Sequence, residues 1–221
     1  MQLLAGALLG RPPGPKYTAA LGFAELAPGN PLPKPGTLAK WRQGLPEGFE
    51  LGLRAPEATW NTPGGALRPG PALDDGLAWL SEASEALGAS LVVVVTGATV
   101  TTGARDRDRL RSYFERLPRR NGLTIVWRAT GLWEPETVQS MARSLRVTAG
   151  FDALDDPAPP GDILYGSLLA EGLRRSFSHA QLLDVIETLH AAEAKRAYVT
   201  VDSPQSFREA RLLQRLHEGD E

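Results

Sequence analysis

The run Leu91-Val92-Val93-Val94-Val95 is unbroken and apolar, and β-branched from Val92 on. A strand with one wet face alternates polar and apolar residues, and this one does not. It is a strand covered on both faces, and parallel sheets flanked by helices supply that environment. The segments around it follow the same logic. Seven more strands are expected at Leu3–Leu9, Ala19–Leu26, Phe49–Arg54, Leu123–Arg128, Arg146–Phe151, Asp162–Leu168 and Ala197–Asp202.

Helical stripes fall between them. Leu38, Trp41 and Leu45 recur at helical spacing, as do Leu73, Leu77, Leu80 and Leu87. Leu110, Tyr113, Phe114 and Leu117 form another stripe, and Val138, Met141, Ala142 and Leu145 a fourth. Ser178 and Gln181 have capping-box spacing ahead of Leu182, Ile186 and Leu189. Phe207, Ala210, Leu213 and Leu216 mark a final helix after Ser203-Pro204. Eight strands alternating with helices predict a small α/β (β/α)8 TIM-like barrel over residues 1–221, with an open doubly wound sheet as the competitor.

Two crossovers are short. Eight residues, Arg11–Thr18, follow strand one, and ten, Ala153–Asp162, follow strand six. A parallel crossover ordinarily takes a dozen residues or more. Helices are therefore expected to be missing after strands 1 and 6. Apolar wall near Leu3–Leu9 and Ile163–Leu168 is then expected to be exposed, the mark of a protein partner or of self-association.

The polar residues at predicted strand ends are Glu25, Arg54, Arg128, Asp152 and Asp202. In a barrel such ends converge on one mouth. Carboxylates and guanidiniums together bind an anion, position a proton-transfer acid, or close the barrel top as an ion-pair network. Trp60 and Trp133 lie in loops beside that mouth, where they line a pocket or pack over it.

Other chemistries lack their residues. The chain has no cysteine, so disulfides, thiolate zinc sites, iron–sulfur clusters and cysteine nucleophiles are out. His179, His190 and His217 lie on helices without metal-ligand spacing, so no metal and no cofactor is expected. Dinucleotide, Walker and nucleophile-elbow motifs are absent. The loop Thr96–Gly103 is small and hydroxyl-rich, which suits either an anion cradle or a plain connection.

With 24 basic and 26 acidic side chains the chain carries no overall charge excess for nucleic acid, although seven arginines crowd between Arg105 and Arg120. The apolar opening, Leu3–Leu9, lacks a basic start and a cleavage site, and no run is long enough to span a bilayer. A cytoplasmic location is the default expectation.

Several segments resemble the domain of unknown function family seventy-two, the YecE-like proteins. The clearest is Thr37–Pro56, a helix with Trp41, then Pro46-Glu47-Gly48-Phe49 and a strand closing on Arg54-Ala55-Pro56. Thr124–Trp133 is similar to the family's fifth strand and following loop, and Asp202 with Phe207, Ala210 and Leu213 to its last unit. The resemblance implies a TIM barrel, and a nucleic-acid role has been suggested for the family. The departures lie at strand ends. The second strand keeps Glu25 but has Ala27 for an amide, the fifth has Ala129 for a histidine, and Tyr165-Gly166-Ser167-Leu168 replaces an arginine–histidine motif. Polar groups are lost where a barrel keeps its site, while the core pattern persists. A degenerate barrel acting as a non-catalytic protein-binding or scaffold module is the expectation. A cytoplasmic enzyme acting on a small anionic or phosphate-bearing substrate at the mouth is the alternative, with Arg54 and Arg128 on the anion and Glu25 or Asp152 as acid or base.

Overall fold

A computed structural model describes residues 1–219. Eight parallel strands close into a barrel: β1 (Gln2–Leu9), β2 (Phe23–Leu26), β3 (Glu50–Arg54), β4 (Leu91–Thr96), β5 (Thr124–Ala129), β6 (Thr148–Asp152), β7 (Ile163–Leu169) and β8 (Arg196–Asp202). They neighbour one another in chain order, and β8 closes on β1. The helices are α1 (Pro15–Thr18), α2 (Pro35–Gln43), α3 (Pro71–Ala86), α4 (Ala104–Glu115), α5 (Pro135–Leu145), α6 (His179–Ala191) and α7 (Ser206–Glu218). A small hairpin, Asn61–Thr62 with Gly65–Ala66, interrupts the β3–α3 connection. Among the described residues no helix is long and apolar enough to cross a membrane.

Alternation along each strand divides the apolar residues into two cores. Phe23, Leu91, Val93, Val126, Tyr165 and Tyr198 pack together inside the barrel. Leu3, Ala5, Leu51, Leu53, Val92, Val94, Trp127, Leu164 and Val199 face outward into the layer shared with the helices. The β4 run is buried on both faces because its odd residues serve the first core and its even residues the second.

The missing helices are half as expected. No helix follows β6, where a proline-rich loop, residues 153–162, runs to β7. After β1 there is one turn, α1, and it has a specific task. The β1–β2 ladder covers only Leu8↔Glu25 and Leu9↔Leu26, which leaves the lower part of that seam unzipped. Tyr17 of α1 stitches it. The Ala7 amide donates to its hydroxyl at 2.7 Å, and the hydroxyl donates to the Phe23 carbonyl at 2.9 Å. The Ala5 amide donates to Gln214 Oε1 of α7 at 3.1 Å. Buried backbone groups that lose a ladder need such partners.

The apolar wall expected to be bare is covered. α7 packs across β1 and β8, and Leu3, Ala5, Ala7, Leu164 and Leu168 are buried. The chain's own last helix occupies the place the short first crossover leaves open.

Strand and helix ends shift by a few residues. β2 starts at Phe23 because Tyr17–Ala20 turns helically before it. β6 starts at Thr148 because Arg146 adopts φ 56° and ends α5 in the left-handed region. The final helix starts at Ser206, and Ser203 instead accepts from the Gln205 amide at 3.0 Å. The capping box of Ser178 and Gln181 forms as expected.

Candidate functional site at the barrel mouth

The predicted strand-end residues all reach the C-terminal mouth, in two separate groups. The first centres on Glu25. Its carboxylate is fully buried in the barrel, with Oε1 accepting from Arg54 Nε at 2.6 Å. Oε2 accepts from the Tyr165 hydroxyl at 2.5 Å and the Thr200 hydroxyl at 2.6 Å. Arg54 also approaches Asp202 at 3.8 Å, where the network reaches solvent. Room for these side chains comes from glycines on neighbouring strands: a Cβ on Gly52 would lie 3.3 Å from the Glu25 side chain and one on Gly150 3.2 Å from the Tyr165 ring.

The second group is Arg128 and Asp152. Arg128 Nη2 donates to Asp152 Oδ2 at 3.3 Å. Asp152 Oδ1 accepts the Leu154 and Asp155 amides at 3.1 and 3.4 Å, and the Asp152 amide donates to Asp156. These bonds fold the start of the loop that stands in place of a helix after β6. Arg174, in the loop after β7, approaches Asp155 at 3.7 Å. The far end of that loop is tied to α7, since buried Glu209 accepts from the Phe177 amide at 2.7 Å and from the Ser203 hydroxyl.

Each group borders its own cavity. One of about 750 Å³ is walled by Arg128, Asp152, Trp133, Phe151, Glu171 and Arg174, among others. Another, of about 530 Å³, is bordered by Arg54, Trp60, Asn30 and Glu57. Glu25 borders neither. The enzyme reading required Glu25, Arg54, Arg128 and Asp152 to face one shared space, and they do not. Glu25 has no vacant oxygen either, so the first group is a closing plug.

A matching plug closes the opposite end of the barrel. Glu50 accepts from the Tyr198 hydroxyl at 2.6 Å and from Arg196 at 3.3 Å, and Arg196 also donates to Gln2 at 3.0 Å. Burial, then the bond to Glu50, pushes the Tyr198 hydroxyl up to about 12. Tyr165 is pushed further, by burial first and by Glu25 second.

The two loop tryptophans are buried and line different cavities. Trp133 stands edge-on to Trp127, ring centres 5.0 Å apart, and donates Nε1–H to the Val100 carbonyl at 2.8 Å. In the hydroxyl-rich loop before it, the Thr101 amide and hydroxyl both donate to Asp106. Five of the seven clustered arginines are bonded within the protein. Arg109, Arg111 and Arg116 pair with Asp106, Asp108 and Asp74. Arg119 and Arg120 donate to backbone carbonyls that end neighbouring helices.

Sequence reasoning missed Tyr165 and Thr200, which hold the buried carboxylate. Their signal was their in-facing parity on β7 and β8, at the same level as Glu25. It also missed that His190 and His217, on different helices, come together. Among the described residues no group of three or more His, Asp or Glu is placed to hold a metal.

No protein-family model matches the chain, and no curated protein matches it. Solved structures do. A DUF72 family protein from Enterococcus faecalis superposes with a TM-score of 0.66 at 14% identity, covering 99% of this chain and 98% of that one. A DUF72 family protein from Thermotoga maritima gives 0.69 at 12% identity, covering 99% and 100%. SacUVDE gives 0.64 at 9% identity, covering 99% and 98%. The fold is that of DUF72 proteins, the family its segments resemble.

Proposed function

We propose that the chain is a degenerate YecE-like barrel that binds rather than catalyses, and that its ligand is a small polar molecule with an anionic group, seated in the cavity beside Arg128. One observation carries this. Arg128 spends one N–H on Asp152, and its side chain keeps 12% exposure where it lines the cavity. A guanidinium with a free edge is suited to a carboxylate or phosphate oxygen. The cavity volume lies in the range of small-molecule sites.

The walls also carry Asp152, Asp155, Asp156 and Glu171. A bare polyanion is disfavoured there, and a ligand with donors for these carboxylates is favoured, such as an amino acid or a sugar phosphate. Catalysis is not favoured because Asp152 is held by Arg128 and two amides, and no nucleophile–base pair lines the cavity.

Calorimetric titration of the whole chain with an amino-acid and sugar-phosphate panel tests this. Saturable one-to-one binding that Arg128→Ala abolishes is expected. Binding to none of them, or binding unchanged in Arg128→Ala, overturns it.

A second reading, a protein partner over the same mouth, is favoured by Leu132 and Leu173. They are 93% and 101% exposed on the two loops that flank the cavity. Light scattering of wild type and Leu132→Ser/Leu173→Ser separates the two: self-association lost in the variant supports the partner reading, and monomers throughout oppose self-association.

A further inference from the structure

His190 ends α6 and His217 ends α7, and neither has a second histidine at ligand spacing on its own helix. The packing of α6 against α7 brings them together. His190 Nε2 lies 3.2 Å from His217 Nδ1, with ring centres 5.3 Å apart at 60°. Two neutral imidazole nitrogens at that separation repel unless something electrophilic sits between them. A shared proton serves, and so does a metal ion. With metal–nitrogen bonds of about 2.0–2.1 Å, two ligands at a tetrahedral angle stand about 3.3 Å apart, and at a right angle about 2.9 Å. The observed distance falls between the two.

The surroundings suit an ion. A surface cavity of about 530 Å³, lined by His217, Glu218, Gln214 and Gln2, opens beside the pair. It leaves space for water or an exogenous ligand to complete the shell.

We propose that His190 and His217 form an open two-histidine site for a first-row divalent transition ion of the Zn²⁺, Ni²⁺ or Cu²⁺ class, clamping the C-terminal ends of α6 and α7. When the ion binds, the ring that donated between the two moves its proton to its own outward nitrogen, so both facing nitrogens offer lone pairs and each neutral imidazole keeps one outward N–H. Oxygen-seeking Mg²⁺ is excluded by the nitrogen donors. The site lies away from the barrel mouth and does not depend on what the mouth binds.

Titration of the whole chain with ZnCl₂, NiCl₂ and MgCl₂ at pH 7.5, by calorimetry and thermal unfolding, tests it. One equivalent of Zn²⁺ or Ni²⁺ is expected to bind and raise the melting temperature, and Mg²⁺ to do neither. His190→Ala and His217→Ala should each weaken binding by on the order of tenfold or more, while His179→Ala, which removes the remaining histidine, should not. For Cu²⁺, electron paramagnetic resonance should show two nitrogen donors. No saturable binding in the wild type, or equal binding in His190→Ala/His217→Ala, overturns the proposal. Because His190 is exposed and His217 only partly covered, these variants are expected to fold, and circular dichroism checks that they do.

Discussion

The Tyr165 hydroxyl donates to Glu25 Oε2 at 2.5 Å across the barrel interior, joining residues 140 positions apart. With Arg54 and Thr200 it saturates a carboxylate that no water reaches. A buried carboxylate is stable only when its charge is paired and its oxygens are bonded.

Removing that carboxylate should therefore be costly. Glu25→Ala leaves Arg54 without its close partner and orphans two hydroxyls. A loss of about 3–5 kcal/mol is expected, read as a lower urea midpoint. Glu25→Gln/Arg54→Met should cost less than the sum of its single changes, because the two residues share one interaction. Additive losses would deny the coupling.

Tyr17 makes a separate prediction. Its ring is buried between Phe49 and Phe207, and Tyr17→Phe keeps the ring. The change strips the Ala7 amide and the Phe23 carbonyl of their common partner. A cost of roughly 1–3 kcal/mol for each orphaned group is the expected scale. Faster amide exchange at Ala7 in Tyr17→Phe is the specific readout; unchanged exchange would show the seam does not need its stitch.

Alkaline pH should unfold the protein steeply. All four tyrosines, Tyr17, Tyr113, Tyr165 and Tyr198, are held above the ordinary phenol value, with burial the largest cause in each. A raised folded pKa stabilises fully below the unfolded value of about 10 and is lost as pH climbs through the folded one. Stability should fall from about pH 10 upward. Phenolate absorbance should rise together with loss of helix by circular dichroism. Tyrosines ionising one by one at pH 10 in folded protein would refute it.

Glycine positions should rank by the space around them. A Cβ on Gly6 would lie 2.6 Å from the Phe23 carbonyl oxygen and 2.7 Å from its ring. Gly6→Ala should destabilise by about 1–3 kcal/mol. Gly36, in α2, has nothing within 4 Å, and Gly36→Ala should hold or raise the melting temperature, since alanine favours the helix. Equal effects at the two sites would mean the barrel seam yields easily.

The eight strands, the helical stripes and the barrel were legible in residues such as Leu91–Val95, Leu73–Leu87 and Ser178–Gln181. These features are local. Period, branching and caps act within a few residues, so a chain displays them in order. The strand-end residues Glu25, Arg54, Arg128, Asp152 and Asp202 were legible too, because parallel strands must all end at one rim.

What each of them does was decided only by the closed barrel. The sheet's curvature sets Arg54 on Glu25 and Arg128 on Asp152, so one expected cluster becomes two separate pairs. Tyr165 and Thr200 entered the plug from strands far along the chain, and α7 returned to cover β1. His190 and His217 carry no spacing signal, yet helix packing sets them 3.2 Å apart. Sequence distance bounds neither contact nor charge pairing once the chain closes on itself, and the chemistry of this protein depends on those closures.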